Sequence, residues 1–366
     1  MQKNSKASIL IFTLIILSVI TVLTVQLMRS VLINYIFTSN QIKMHQARTL
    51  AFGGVNLAIS QLLDENKNQK EENIKDEKDK DKVRQLLQRV FVNLNKKQTF
   101  KLMQDIDGIE GEVGFCISCE NGKLNINKIF DFEKNEFKEE YKKLLAGLKI
   151  NGKLASGEIL KKLTDFLKER NRKLDDISEL TKIEGLNKVD LFYKPPKISD
   201  IKNKQNLSTD VYLQDLFTIW TDKEQLEFLF VSNSVLTILG LRRPLANDAT
   251  VFEKQFKALI EIINKNYSQN LNDNWSYYSP IFGKENKLLN NFKSIFSKEF
   301  GPKVYSVISY GKVGDMEQKL LVVLKEVEKQ KKSKDSSNQT VKKQDEVGKK
   351  ETESSKTFQI VRMYWI

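Results

Sequence analysis

The chain has 366 residues, enough for two or three folded units, and 60 Lys and Arg against 47 Asp and Glu give it a formal net charge of +13. Such a charge is typical of proteins that bind nucleic acid or an anionic membrane, but here it is spread along the chain and mixed with acidic residues. The only cysteines are Cys116 and Cys119, and the only histidine is His45. One CxxC pair cannot supply the four ligands of a structural zinc site, and a His-assisted nucleophile is excluded from the soluble part. We therefore expect neither an enzyme nor a bound cofactor.

The most distinctive stretch covers residues 7–28, which are uncharged and rich in Ile, Leu, Val and Thr. About 20 apolar residues, at about 1.5 Å per residue, cross a bilayer core of roughly 30 Å, so this stretch predicts a transmembrane helix. A secretory signal peptide is disfavoured because its apolar region is shorter and a small-residue cleavage site follows it. Beyond Arg29 the apolar residues recur at helical spacing, which predicts an amphipathic stalk that continues to about Leu63.

Strand patterns follow in two places. Alternating apolar runs on either side of Asp107–Gly108 predict an antiparallel hairpin within residues 100–119. Three β-rich runs near the end of the sequence, the first two joined by a turn at Gly314–Asp315, predict the closing strands. The charged run 64–82 is predicted to be a solvated loop before a short helix at 83–94, and the polar run 329–356 is predicted to be disordered.

The phrase ENGKLNIN, at residues 120–127, is the most specific signal in the soluble part. We expect Gly122 to turn the chain at positive φ, Leu124 and Ile126 to enter the core, and Asn125 and Asn127 to point outward and satisfy backbone groups. We call this the 120–127 motif and interpret it as a fold signature. The two cysteines just before it lie three apart in a strand, so we expect them on opposite faces as structural residues.

Between about residues 130 and 247 the apolar period changes to that of helices, with candidate helices that include 132–148 and 210–220. A further amphipathic helix is predicted at 250–267, followed by a polar, aromatic stretch at 272–283. Residues 177–193 resemble a helix-hairpin-helix module, with Ile183 and Gly185 at the turn between the helices. In DNA-binding versions such a turn offers backbone N–H groups to phosphates, but Glu184 beside it would repel them. A membrane-anchored nucleic-acid-binding protein, for instance in DNA uptake, is therefore the alternative function, and we expect no nucleic acid as a partner.

Together these features resemble the minor pseudopilins of type II secretion systems, K class (general secretion pathway protein K), which are type IV pilin-like proteins. The match includes the basic leader before the apolar helix and Gly122, Lys123, Asn125 and Asn127. The resemblance implies cleavage by prepilin peptidase between Ala7 and Ser8, although Ala7 departs from the usual glycine. Phe12 stands where most pilins carry a glutamate, an exception shared by the K class. A plain membrane anchor that is never processed remains the alternative for this segment.

The resemblance also implies a fold and a division of the chain into units. The implied α+β fold has an N-terminal transmembrane and stalk helix packed on a small antiparallel β-sheet (pilin-like), with a large inserted all-α domain that contains the helix-hairpin-helix or SAM-like segment. Its predicted units are a leader at 1–7, a transmembrane helix at 8–28, the stalk and first strands at 29–127, the helical insertion at 128–300 and the closing strands at 301–366.

The implied partners are the minor pseudopilins of the I and J classes, the major pseudopilin, prepilin peptidase and the inner membrane. The chain would cross that membrane once, with its bulk in the periplasm and a place at the pilus tip. Calcium is implied by the family, but no ligands are identifiable, because residues 165–171 lack the acidic phrase of relatives and carry Lys168 and Arg170 instead.

Overall fold

The computed structural model describes residues 4–63, 94–148, 157–186, 211–240, 292–297, 303–329 and 355–366, with the single residues 257, 261 and 301. The first element is helix α1, Asn4–Leu62, whose 59 residues span roughly 90 Å at about 1.5 Å each. No proline occurs in this stretch, so nothing removes a backbone donor from its hydrogen-bond ladder. The predicted apolar helix and amphipathic stalk are thus one continuous helix, which ends one residue before the predicted position.

A five-stranded antiparallel sheet forms the second part of the fold, in the order β1-β2-β7-β8-β9. Its strands are β1 (Gln98–Leu102), β2 (Gly111–Cys119), β7 (Val304–Val313), β8 (Met316–Lys329) and β9 (Ser355–Trp365). The predicted first hairpin is confirmed, with a short helix α2 (Gln104–Asp107) inside its connection. The predicted turn between β7 and β8 is confirmed as well, with Gly314 at φ 56°, a left-handed conformation that favours glycine.

The sheet is the middle layer of the molecule. On one face, α1 packs through Ala51 and Val55 into the main core, which includes the buried β8 residues Val322 and Leu324. On the other face, Cys116, Ile308, Tyr310 and Leu321 form a second cluster, against which Tyr212 and Tyr364 pack. The segment between β2 and β7 therefore covers the sheet face that α1 leaves free.

That intervening segment mixes short helices with very short strands. Its helices are α3 (Ile126–Ile129), α4 (Glu139–Ala146), α5 (Glu158–Arg170), α6 (Leu213–Leu216) and α7 (Asn233–Ile238), with 3₁₀ turns at Ile177–Lys182, Phe228–Phe230 and Lys293–Ile295. Its strands are β3 (Leu124–Asn125), β4 (Phe130–Asp131), β5 (Glu136–Phe137) and β6 (Phe217–Thr218); β3 pairs with β6 in parallel and β4 with β5 antiparallel. The prediction of an all-α insertion is therefore not confirmed.

Two helices in this segment differ from the sequence prediction for physical reasons. The helix expected from Phe132 begins only at Glu139, because β4 and β5 first form a tight hairpin with Asn135 at φ 56°. The helix expected across residues 210–220 stops at Leu216, because Phe217 and Thr218 pair with the 120–127 motif. Aromatic and β-branched residues of this kind favour strands once a partner is available.

Several predicted features lie outside the described residues. These are the loop at 64–82, almost all of the helix at 83–94, the long helix at 250–267 apart from two positions, the aromatic stretch that follows it and the polar run at 330–354.

Candidate functional site: an apolar helix and a buried motif

The N-terminal half of α1 presents an apolar surface, and no other described element covers it. All residues from 10 to 38 are exposed, and they include large apolar side chains at most positions. The most apolar window of the helix has a mean hydropathy of 2.6, and none of it is buried. By length and composition this helix can cross a membrane, which is compatible with a single-pass anchor.

Four hydroxyl groups near the start of this half are bonded inside the helix. Thr13 donates to the carbonyl oxygen of Leu10 at 2.9 Å, and Ser18 donates to that of Ile15 at 2.8 Å. Thr21 and Thr24 donate to the carbonyl oxygens four residues earlier, each at 2.8 Å. These side chains therefore need no external hydrogen-bond partner in an apolar environment.

The predicted processing residues lie at the start of this helix. Ala7 and Ser8 both fall within α1, so they belong to a continuous helical segment. Phe12 follows one turn later and is exposed. The cleavage site stays a prediction, since the fold places these residues without testing their reaction.

Further along α1, small residues bring the helix unusually close to the sheet. Ala47, Ala51 and Ala58 are fully buried, and Gly54 lies between them on the same face. A Cβ atom on Gly311 of β7 would lie 1.9 Å from the carbonyl oxygen of Ala47, so only glycine fits there. We call this contact the helix–sheet seam. Its signal in the sequence is the recurrence of small residues at steps of three and four, which our sequence prediction did not use.

A hydrogen bond joins the two sides of the helix–sheet seam. Ser309 of β7 is fully buried, and its hydroxyl donates to the carbonyl oxygen of Ala51 at 2.6 Å. The Ser309 hydroxyl oxygen also lies 3.3 Å from the carbonyl oxygen of Gly114 in β2. A Cβ on Gly54 would lie 2.2 Å from this Ser309 oxygen. The position of α1 along the sheet is therefore fixed by steric fit and by a directed bond.

The 120–127 motif lies inside the molecule, where the sheet meets the intervening segment. Leu124 and Ile126 are fully buried, which confirms that they belong to the core. Gly122, however, is not at positive φ as predicted. A Cβ at this position would lie 1.9 Å from the carbonyl oxygen of Phe230, so glycine is required by close backbone approach.

A buried ion pair lies at the centre of the motif. Lys123 and Glu120 are almost completely buried, and the Lys123 ammonium donates to the Glu120 carboxylate. The same ammonium donates to the hydroxyl of Ser306 on β7 at 3.3 Å. Charged groups this deeply buried are stable only when paired and hydrogen-bonded, so the pair ties the motif to the sheet.

The two asparagines of the motif join separate parts of the intervening segment. Asn125 is buried and its amide donates to the carbonyl oxygen of Thr221 at 2.6 Å. Asn127 exchanges two hydrogen bonds with the backbone of Leu174, at 2.8 and 2.9 Å. The prediction that both side chains satisfy backbone groups is confirmed. The expectation that they point outward is wrong for Asn125, because its partners lie in the interior.

Both cysteines are free and buried. Burial raises the pKa of the Cys116 thiol from its ordinary 9.0 to about 12, and it raises the pKa of the Cys119 thiol well above 9.0. A thiol acts as a nucleophile or metal ligand in its thiolate form, which is suppressed here at neutral pH. Cys116 lies in the cluster on the sheet face opposite α1, whereas Cys119 belongs to the main core, which agrees with the predicted opposite faces.

The helix-hairpin-helix-like segment is described only in its first half. Residues 177–182 form a 3₁₀ turn instead of an α-helix, Ile183 is buried and Gly185 has φ 91°. The residues after Leu186 lie outside the described range. The expected second helix lies among those residues, and the module is not confirmed.

Carboxylates near this segment are already bound by side chains of the chain itself. Arg170 binds both Asp175, at 3.0 Å, and Glu179, while Tyr364 donates to Asp176. Within the described residues no group of three His, Cys, Asp or Glu side chains is arranged to hold a metal. These carboxylates do not fit the calcium that the family resemblance implies, because their oxygens are held by the Arg170 guanidinium and the Tyr364 hydroxyl.

A long apolar N-terminal helix laid on an antiparallel sheet is consistent with a pilin-like fold. No family model matches the chain, and no curated protein sequence matches it either. Among solved structures, it is similar to a chain in the crystal structure of the GspK-GspI-GspJ complex from the type 2 secretion system of enterotoxigenic Escherichia coli. The identity is 12%, the alignment covers 90% of this chain and 98% of that chain, and the TM-score is 0.42. At this TM-score the likeness does not by itself assign a fold or a role.

Proposed function

We propose that the chain is a minor pseudopilin of a type II secretion system, of the K class, which lies at the tip of the periplasmic pseudopilus and helps to initiate its assembly. In this role the apolar helix resides in the inner membrane, is trimmed by prepilin peptidase after Ala7, and then packs with the helices of other pseudopilins. The work is mechanical and recognitional, and no catalysis is assigned.

The observation that carries the proposal is the division of α1 into two halves. Residues 10–38 form an exposed apolar helix whose first four hydroxyls are bonded within it, while residues 47–62 pack on the sheet through the helix–sheet seam. A globular protein in water would bury so large an apolar surface, so the first half requires a bilayer or other apolar helices around it. A helix that has such a half and is rigidly joined to a soluble sheet suits a subunit that moves from membrane to filament.

The 120–127 motif supports the K class within the minor pseudopilins. Its residues Gly122, Lys123, Asn125 and Asn127 match the K-class phrase, and each has a packing or hydrogen-bonding role that restricts its replacement. Phe12 supports the tip position: a carboxylate in a membrane is costly unless paired, and a subunit with no neighbour above it has no need for one.

The mature N-terminus tests the proposal directly. The full chain is co-expressed with the prepilin peptidase of its own host, and intact mass is measured after extraction in detergent. We expect loss of residues 1–7, so that the chain begins at Ser8.

A control variant separates the position of the site from the effect of Ala7. Ala7→Gly restores the usual residue before the cut and should be processed at least as completely as the wild type. Retention of residues 1–7 in both proteins would contradict the proposal, whereas processing of the variant alone would locate the site correctly and identify Ala7 as a block.

A further inference from the structure

Strand β9 occupies one edge of the five-stranded sheet. It pairs along its length with β8, and among the described residues no strand pairs with its other edge. The N–H of Ile366 donates to the carbonyl oxygen of Lys319 at 3.1 Å, which fixes the alternation of the backbone groups. The N–H groups of Met363 and Trp365 therefore point away from β8, toward the free edge.

Several apolar side chains at the C-terminal end of the chain are exposed. They are Ile360, Val361, Met363 and Trp365 of β9, together with Ile366, which follows the strand. In the neighbouring strand, by contrast, Leu320, Val322 and Leu324 are fully buried. Helix α1 packs mainly on β2, β7 and β8 and reaches β9 at Trp365, so Ile360 and Met363 stay about half exposed among the described residues.

Native sheets usually protect such an edge by short length, lysine, proline or an inward-pointing charge. β9 has 11 residues; its lysine, Lys356, lies at its N-terminal end, and from 357 to 365 the strand carries no lysine and no proline, with Arg362 as its one charge. One bulge opposite Val323 and Leu324 leaves Val361 without a partner in β8, and the stretch 362–365 beyond it is regular. The opposite edge strand β1 is short and contains Lys101, so it is protected in the usual way.

The regular stretch of β9 is held rigidly against the helix. Trp365 packs edge-on against Phe52 of α1 with ring centroids 5.5 Å apart, and the Arg48 guanidinium lies 5.3 Å from the centre of the Trp365 ring. The charges at this end are cationic, since Arg362 remains half exposed with its nearest described acid, Asp176, at 3.9 Å. An ordered edge with free N–H groups, apolar side chains and cations fits an extended, apolar strand that carries an acidic residue.

We infer that the free edge of β9 is a docking site for a β-strand of a neighbouring pseudopilin, added antiparallel or parallel to residues 362–365. Main-chain hydrogen bonds supply the affinity, and the exposed Ile360, Met363 and Trp365 select a partner with apolar residues at alternate positions. The inference rests on the proposed function for the identity of its partner, while the strand geometry comes from β9 itself.

Hydrogen exchange with single-residue resolution tests the inference. The full chain is compared in detergent alone and in complex with the I- and J-class subunits of its own secretion system. Strand addition should slow exchange at the Met363 and Trp365 amides by about tenfold or more, while the Tyr364 and Ile366 amides, which face β8, serve as internal references. A helix docked on the side chains would leave the outward amides exchanging as before, and that result would overturn the inference.

A matched pair of variants tests the same edge by affinity. Met363→Lys places a protective charge on β9, and Phe100→Lys places one on β1; the two side chains are 45% and 46% exposed. We expect M363K to weaken the complex by about tenfold or more and F100K to leave it unchanged, with equal melting temperatures for both free proteins. Equal affinities would refute docking at β9. A complex that forms without protection of β9 would leave the proposed function standing, whereas failure to form any complex would count against both.

Discussion

Gly311→Ala tests the helix–sheet seam most directly. The added methyl carbon would lie 1.9 Å from the carbonyl oxygen of Ala47 and 2.7 Å from the backbone nitrogen of Ala51. Real contacts of this kind are longer than 3 Å, so α1 must move about 1 Å away from the sheet. That displacement loosens the buried row of Ala47, Ala51 and Ala58 and the bond from Ser309. We expect a loss of about 3 kcal/mol in the free energy of unfolding, the upper end of the usual range for overpacking.

Urea unfolding of the full chain in detergent, followed by circular dichroism, measures this loss. Gly53→Ala is the matched control, because a Cβ on Gly53 meets nothing within 4 Å and the residue lies within the helix. This control should stabilise the chain by about 0.5–1 kcal/mol, since alanine favours a helix more than glycine does. A G311A protein within about 0.5 kcal/mol of the wild type would refute the close approach of α1 to β7.

The same assay checks the buried motif and its surroundings. Gly122→Ala should also cost about 3 kcal/mol, because its Cβ would lie 1.9 Å from a backbone oxygen; an unchanged midpoint would contradict this contact. Arg170→Met should cost about 1.5–3 kcal/mol, because the half-buried Glu179 carboxylate loses its guanidinium partner, and double substitution with Glu179→Met should recover part of the loss. Stability should fall as pH rises above 9.0, because unfolded Cys116 and Cys119 ionise there while the native thiols, whose pKa is raised, stay protonated; Cys116→Ala should reduce this dependence, and no change with pH would contradict the burial.

Much of the framework follows from local patterns in the sequence. The length of α1 follows from an apolar run that passes into helical spacing, and the hairpins follow from alternation around Asp107–Gly108 and Gly314–Asp315. Leu124 and Ile126 were correctly placed in the core as the apolar residues of the motif, whereas the strand period also placed Asn125 outside, which is wrong.

The features that were missed depend on contacts between distant parts of the chain. Gly122 was expected at positive φ, but its requirement comes from Phe230, more than a hundred residues later. The helix expected after Leu213 is cut short because Phe217 finds a strand partner at Leu124. Neither partner can be identified from local propensity, which tertiary contacts regularly override.

The candidate site also contains features that local sequence predicts and features that depend on distant contacts. The exposed half of α1 could be predicted because its length and composition alone identify it as a helix able to span a membrane. The buried pair of Lys123 and Glu120 could not, since two charged residues in a polar phrase favour the surface on their own. Only the fold shows that Ser306 and the sheet enclose them.

The hydroxyls of Thr13, Ser18, Thr21 and Thr24 have one more consequence. Each is bonded to a carbonyl oxygen of its own helix, so these groups keep the same partners whether lipid tails or other helices surround them. Moving these four side chains between two apolar environments breaks none of these hydrogen bonds. These four hydroxyls therefore form no polar bond to either environment that would have to be broken first.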